Sequence, residues 1–552
     1  MDFQESDSFG NISKIRTLRC FLLLAAVRLL QEKGWRELKK GNWMYQLCAY
    51  GVAVIGLLCL LAIFGSNLIF SGYMDIYEYV IFENAGLLWL VVLLVFLSIS
   101  AALVKFSEKI SEYGLFFVFS LGYLLMGCWL IFSISGNLRA DSQAVYQAAQ
   151  QFLRQNYEAF APGGYLNMYP HQIGLMLYDA LICAYYASPK MLFFANLLEI
   201  IGINWCIFQI ARLIFSDNKT INLLTVVWSF SFLPLFLHLA FAYNTIPGLL
   251  LFCMGWYLLL RWNNRTKQYG FFLLGAICLA LSAVIRNNFL IGVIAICLWQ
   301  LICWFKTGAI RCPAAVLGIC LCFVAFNVGM KNAVYKVVKA ENLQPIPSVM
   351  YVAMGTDPTE GVNVPGWYND YIMIAYDACG MNSEESSKEA LRKIEENLDY
   401  HIHHPKEALD FFVKKFVSTW CEPTYASVWS GPAQWANQPT THWITQSLYQ
   451  QGYAYQIVRI YCKGILMGIF AFAMLYCIQN LQKFWVYGMP ILYLIGGVMF
   501  HLMWETKSQY VYPYVFLLLP LCAAGVKQVC DWLLSKRNKT STYDTEQEHP
   551  KR

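Results

Sequence analysis

Charge is what this chain has least of: 13% of its 552 residues are Asp, Glu, Lys or Arg, against 58% hydrophobic. No single water-soluble core could bury that much apolar surface, and the positive mean hydropathy reads as an all-α polytopic membrane protein. A glycine-rich phosphate loop is missing, and with it a soluble nucleotide-binding domain. The formal charge of +6 is small for the length, and Lys and Arg gather at the ends of apolar runs rather than in a stripe with interleaved aromatics, so nucleic acid is excluded as a partner. No spacing among the nineteen cysteines suggests zinc. Most, such as Cys59, Cys128, Cys206, Cys253, Cys278, Cys320, Cys322 and Cys477, fall inside apolar runs and read as small buried residues. Cys379 and Cys421 alone lie in the large polar segment, where they would allow one disulfide. The two halves share no repeat. The polar, acidic start and the short apolar run 20–30 do not make a cleavable signal; they read as a basic amphipathic helix on the cytoplasmic side.

What is abundant is apolar runs. Thirteen begin near residues 46, 85, 114, 171, 191, 221, 245, 270, 288, 312, 457, 486 and 511. Lys and Arg orient them. Lys14, Arg16, Arg19, Arg28, Lys33, Arg36, Lys39 and Lys40 put the N-terminus in the cytoplasm, and Lys536, Arg537, Lys539, Lys551 and Arg552 do the same for the C-terminus. Arg212 with Lys219, Arg261 with Arg265 and Lys267, and Lys306 with Arg311 mark further cytoplasmic loops. An even number of crossings is then required, and stretch 171–187, which follows Pro170 and carries His171, Gln172 and Asp179, is the one that lies in the outer leaflet instead of crossing. Twelve spans and one membrane-lying helix is the expectation.

The expected organisation is a cytoplasmic segment (1–45), two spans (46–113), a transmembrane core (114–330) with outer loop 135–190, an α-rich outer subdomain (331–456), the last spans (457–535) and a disordered cytoplasmic tail (536–552). Within the subdomain, helix signals run over 383–397 and again after Pro405, where Phe411, Phe412, Phe416 and Trp420 recur at helical spacing and read as packing residues.

Ionisable groups beside apolar spans are costly, so their positions carry information. Here they gather on the outer side: Asp141 early in the first large loop, His238, Arg286 in an RNN turn, and His501, Glu505 and Lys507 at another helix end, with Glu199 below the loop. A pump or channel would place such groups near mid-depth along a path. This distribution instead suits a cavity open to the outer leaflet. Each residue also has a plainer role available: Asp141 could cap the helix DSQAVYQAAQQFL, Arg286 could anchor to headgroups, Glu505 and Lys507 could pair, and Tyr165 and Tyr169 could be interfacial anchors. The histidines of HIHHP (His401, His403, His404) point different ways and lack a further ligand to complete a metal site.

Taken in order, ADSQAVYQAA, GGYLNMYPHQIG, AYNTIPGLL, the RNN turn, PGWYND, KKFVSTWCEPTY and WETKSQYVYPY resemble the GT-C superfamily of membrane glycosyltransferases, which includes the protein O-mannosyltransferases (glycosyltransferase family 39). The likeness covers roughly residues 114–525 and leaves the first two spans as an addition. It implies a sugar moved from a polyprenyl-phosphate donor to a hydroxyl of a glycan, lipid or protein acceptor, with inversion, at the extracytoplasmic face of a bacterial plasma membrane. Asp141 would be the catalytic base, Arg286, Lys507 and His171 would bind the donor phosphate, and Tyr169, Gln172, Asn244, Glu505 and Tyr510 would line the groove. A divalent cation is the one cofactor the resemblance raises; yet Ser142 follows Asp141 and Asn244 stands at the next outer turn, both places where family members often carry an acid, and Gln509 stands where Arg is common. No metal ligands are assigned. Two other readings share the composition: an outer-leaflet polysaccharide polymerase or ligase, which would rely on basic and histidine residues without one indispensable acid, and a lipid-linked oligosaccharide flippase or transporter, which would show mid-depth polar groups and internal repeats.

Overall fold

The computed structural model describes residues 43–547 other than 76–78, 265–267, 341, 360–363 and 433–441, with side chains as far as residue 535. It is 78% helical, and among the described residues the only sheet is one hairpin. The order begins α1 (Trp43–Ile69), β1 (Phe70–Met74), β2 (Val80–Asn84), α2 (Leu88–Phe106), α3 (Glu112–Ser133), α4 (Ala140–Leu153), α5 (Tyr165–Met168), α6 (Ile173–Tyr185), α7 (Pro189–Ile214), α8 (Lys219–Phe230) and α9 (Leu233–Leu237). It continues with α10 (Thr245–Asn264), α11 (Tyr269–Ile285), α12 (Phe289–Thr307), α13 (Arg311–Val338), α14 (Val349–Gly355), α15 (Tyr371–Ala378), α16 (Ser383–His403), α17 (Pro405–Trp420), α18 (Trp443–Tyr449), α19 (Tyr453–Gln479), α20 (Phe484–Met503), α21 (Tyr512–Phe516) and α22 (Leu519–Gln547).

Each of the thirteen apolar stretches carries a helix. Among the described residues nine are long and apolar enough to cross a membrane, and α8 with the segment 233–240 adds a tenth if their 47° bend is one broken span. The chain is an all-α polytopic membrane protein. α10 and α19 are the most enclosed, whereas α2 and α13 bury few of their apolar side chains. Leu317, Leu321, Val324 and Val328 stand on the outside of α13, a row that water would not tolerate and lipid chains cover. Stretch 171–187 yields α6, whose 13 residues reach about 20 Å at 1.5 Å each, short of the roughly 30 Å hydrocarbon core.

Small residues let the inner helices approach. A Cβ at Gly255 of α10 would lie 3.0 Å from the Gly275 carbonyl oxygen of α11, and one at Gly275 would lie 3.2 Å from that of Gly255. Backbones this close gain dispersion contacts that lipid chains cannot outcompete. α1 packs on α19, α20 and α12, and its end is tied to α17 and α19. Lys463 of α19 donates at 2.8 Å to both Asn67 Oδ1 and the Phe70 carbonyl, while Asn67 Nδ2 donates to the Trp420 carbonyl at 3.0 Å. The unexpected β1–β2 hairpin extends this link, since the Gly72 N–H donates to the Cys421 carbonyl.

The segment 331–456 contributes to a small separate core, with Ile346, Met350, Met354, Ile372 and Tyr376 buried and Met168 and Tyr169 packed against it. α16 and α17 fall where the helix signals placed them. Phe411 and Trp420 are buried, and Trp420 meets Tyr514 of α21 with ring centroids 6.2 Å apart. Lys415 of α17 is buried and donates to the carbonyls of Gly355, Leu502 and Trp504, so one ammonium joins α17 to α14 and to the end of α20. Burial pushes it down to about 7, opposed by Glu505. Lys415→Met is expected to leave those carbonyls unpaired and cost about 1–3 kcal/mol, read as a lower unfolding midpoint in detergent; an unchanged midpoint would show that the subdomain is held otherwise.

Cys379 and Cys421 are free thiols, Cys421 being buried against the hairpin at the end of α17, so they do not form the allowed disulfide. The final helix runs on to Gln547, past the start of the expected tail. Residues 1–42 and 548–552 lie outside the described residues, as do Arg265 and Lys267, and with them most of the charges that orient the termini.

Candidate functional site

α3 ends at Ser133, and the chain runs to Ala140, which adopts φ +41° and turns it into α4. A left-handed alanine is strained and persists only where neighbours hold it. One such restraint is Ser142, whose hydroxyl donates to the Ala242 carbonyl. Asp141 is therefore presented at the second position of α4, exposed, beside the 242–244 turn. It is not the cap: Arg139 occupies that position, with no side-chain cap bond. The Tyr243 hydroxyl donates to Asp141 Oδ2 at 3.5 Å, and the Tyr165 hydroxyl also hydrogen-bonds this carboxylate.

From Tyr243 a chain of polar groups leads to a buried guanidinium. Gln172 Nε2 donates to the Tyr243 hydroxyl, Asn244 Nδ2 donates to Gln172 Oε1 at 3.3 Å, and Arg286 Nη1 donates to Asn244 Oδ1 at 2.5 Å and to Thr245 Oγ1 at 2.6 Å. Arg286 caps the end of α11 and lies 5.1 Å from the centroid of Tyr510, whose hydroxyl donates to Glu505 Oε1 at 3.3 Å. A second cationic cluster forms on Trp429, in the segment between α17 and α18. Arg139 sits 3.7 Å from one of its ring centroids and Lys507 4.1 Å, and Arg139 also donates to the Trp429 carbonyl. Cations at that range gain from the ring quadrupole, and the indole gathers the loop before Asp141 and the 504–510 turn at one point.

The tyrosines stay protonated. Burial raises Tyr165, Tyr243, Tyr351 and Tyr510 and lifts Tyr169 to about 12, and the Asp141 carboxylate adds to the rise at each. They are donors to an acid, not bases. His171 moves the other way, to about 4, through burial first and then Lys331 and Arg286. Burial thus favours the neutral imidazole, which can offer an N–H. With a folded value below the ordinary 6.5, the unfolded chain binds the extra proton, so this group's stabilisation is complete above about pH 6.5 and is lost as pH falls towards 4. His171→Gln is expected to flatten that part of the acid dependence of the unfolding midpoint; an identical profile would show that His171 does not titrate so.

The geometry thus joins Asp141, Gln172, Asn244, Arg286, Tyr510 and Glu505 in one network, with Lys507 linked through Trp429. Tyr169 lies alongside, its ring 4.9 Å from Tyr165 and 6.0 Å from His171, and its hydroxyl reaches Met373 Sδ. Tyr165 is a partner of the acid. Arg139, Tyr243, Tyr351 and Trp429 were not anticipated; Arg139 and Tyr243 lie within a residue or two of Asp141 and Asn244, but nothing in the sequence marks Trp429. Glu199 stands apart, accepting from the Tyr178 hydroxyl at 2.7 Å beside buried Asp179. His238 Nδ1 bonds the Pro234 carbonyl, and His501 faces Thr506. In HIHHP, His401 Nε2 meets the Thr356 carbonyl while His403 and His404 turn back to their own helix.

A divalent cation does not fit the acid-and-asparagine pair. Asn244 spends its oxygen on Arg286 and its amide on Gln172, and Ser142 is turned to a carbonyl. Among the described residues no cluster of three His, Cys, Asp or Glu could hold a metal. Chemically the site is an exposed carboxylate held by phenols within a short relay of a buried guanidinium, with two more cations nearby: a membrane protein equipped to accept a proton on one side and to hold an anion on the other. No family model, no curated protein and no solved structure matches the chain.

Proposed function

We propose that this protein is an integral-membrane glycosyltransferase of GT-C type that moves a sugar from a polyprenyl-phosphate donor to an acceptor hydroxyl, with inversion, on the extracytoplasmic face of a plasma membrane. The observation that carries it is the relay from Asp141 through Tyr243, Gln172 and Asn244 to Arg286, because one reaction needs both ends. As the acceptor oxygen bonds to the anomeric carbon, its proton passes to the Asp141 carboxylate; the bond from that carbon to the phosphate oxygen breaks, and the phosphate leaves with its charge offset by Arg286 and Lys507. His171 contributes a neutral N–H. Tyr169, Gln172, Asn244, Glu505 and Tyr510 shape the groove between lipid and acceptor.

In this reading the membrane is crossed twelve times with both termini cytoplasmic: the nine long helices, the bent α8–α9 pair, the 17-residue α11 and α22, while α6 lies in the outer leaflet. Supporting that sidedness, the C-terminal ends of α3, α11 and α20 each lead into a segment that supplies the site. The test is acceptor-dependent consumption of radiolabelled polyprenyl-phosphate sugars by the protein in proteoliposomes. A flippase would move such donors without cleaving them, and a polymerase or ligase would cleave a donor without needing Asp141.

A further inference from the structure

Along α4 from Asp141 is an open cleft of about 220 Å³ lined by Ala144, Gln147, Ala148, Gln151, Glu158, Ala159, Gly164 and Tyr165. Asp141, Ala144, Ala148 and Gln151 fall on one face of α4 by the helical repeat, so the cleft runs along the helix from the carboxylate. Tyr165 closes the near end and itself bonds Asp141. The wall that carries Tyr165 is preceded by two glycines, of which Gly164 lines the cleft. Gly163 has φ +78°, and a Cβ on Gly164 would come within 2.6 Å of the Ala159 carbonyl oxygen. Any larger residue at Gly164 would push the wall outward.

Resting on the glycosyltransferase reading, we infer that this cleft binds the acceptor, and that the acceptor is an uncharged carbohydrate chain. The lining offers two primary amides, one carboxylate and one phenol over a floor of alanines, without a Lys, Arg or His. Amide and carboxylate groups pair with neighbouring sugar hydroxyls, whose donors and acceptors alternate in the same way. The alanine floor leaves room for a flat ring beside the Tyr165 phenol. An anionic polymer finds only Glu158, of its own sign. An acyl chain would have to strip water from both glutamines and the glutamate without replacing those hydrogen bonds. The volume, below the roughly 300–1,000 Å³ of sites for drug-sized ligands, suits one unit of a longer chain. A hydroxyl carried on the bound unit would project along α4 toward Asp141.

The experiment is saturation-transfer NMR on the full-length protein in nanodiscs. The probes are neutral tetrasaccharides of glucose, mannose, galactose and N-acetylglucosamine, a glycerol-phosphate tetramer and a Ser/Thr-rich heptapeptide. At least one neutral tetrasaccharide should bind, and Gln147→Ala/Gln151→Ala should weaken it about ten-fold through two lost hydrogen bonds. Gly164→Leu, with an unfolding midpoint checked beside it, should weaken it as well. The inference is overturned if no neutral tetrasaccharide binds, if binding ignores the double variant, or if the glycerol-phosphate tetramer or the peptide binds more tightly than every sugar. Binding is read without turnover, so intact transfer with no sugar binding sinks the cleft alone, and sugar binding with no transfer sinks the catalytic reading alone.

Discussion

Asp141→Asn is expected to lower sugar transfer by about 10²- to 10⁴-fold, the range by which a positioned general base accelerates a proton transfer, while the amount of protein in the membrane stays the same. The second half follows from the local structure. Asp141 is exposed and is not the cap of α4, and its charge gains from the helix N-terminus about 0.3–1 kcal/mol that asparagine there gives up. Asparagine keeps an oxygen to accept from Tyr243 and Tyr165, so the pocket should retain its shape. Transfer rates and unfolding midpoints measured side by side decide the matter. Full activity in the variant would remove Asp141 from the mechanism, and lost activity accompanied by a collapsed midpoint would make it a structural residue.

Arg286→Gln is expected to cut turnover by about 10²- to 10³-fold, as removal of a single charge-stabilising donor does elsewhere, with the loss concentrated in use of the lipid donor. Arg286 has structural duties too, since it bonds Asn244 and Thr245 and is buried against Tyr510. Arg286→Lys separates the two roles: it retains a charge for a leaving phosphate but cannot reproduce the planar fork. Partial rescue by lysine, measured as donor KM and kcat at matched unfolding midpoints, is the expected result. Equal activity in the Gln and Lys variants would make Arg286 an anchor of the 242–245 turn and no more.

Much of the architecture was legible because a membrane imposes long apolar runs, and each run became a helix. That stretch 171–187 would form a short helix was legible from its length and from Pro170 before it. The ends of the relay stood out as charged residues beside apolar spans. Its middle did not. Gln172 and Asn244 were quoted, but that they touch, and that Tyr243 turns to Asp141, depends on the Ser142 bond to Ala242 and on the left-handed turn at Ala140, an alanine that carries no turn signal. Trp429 gathers Arg139 across 290 positions of sequence, beyond the reach of any local pattern. The hairpin was missed because FSGYM and VIFEN continue the apolar character of the helices beside them, hiding the two-residue period. Cys379 and Cys421 looked pairable only because both lie in a polar segment, which says nothing about proximity.

The central claim is that one cavity holds the acid, the cations and a lipid phosphate together. A cryo-EM map of the protein with a bound polyprenyl phosphate tests it most directly. The expected map has phosphate density within hydrogen-bonding reach of Arg286, with Lys507 beside it and the Asp141 carboxylate facing the same space. Phosphate density at another helix end, with Arg286 still occupied only by Asn244 and Thr245, would contradict the account.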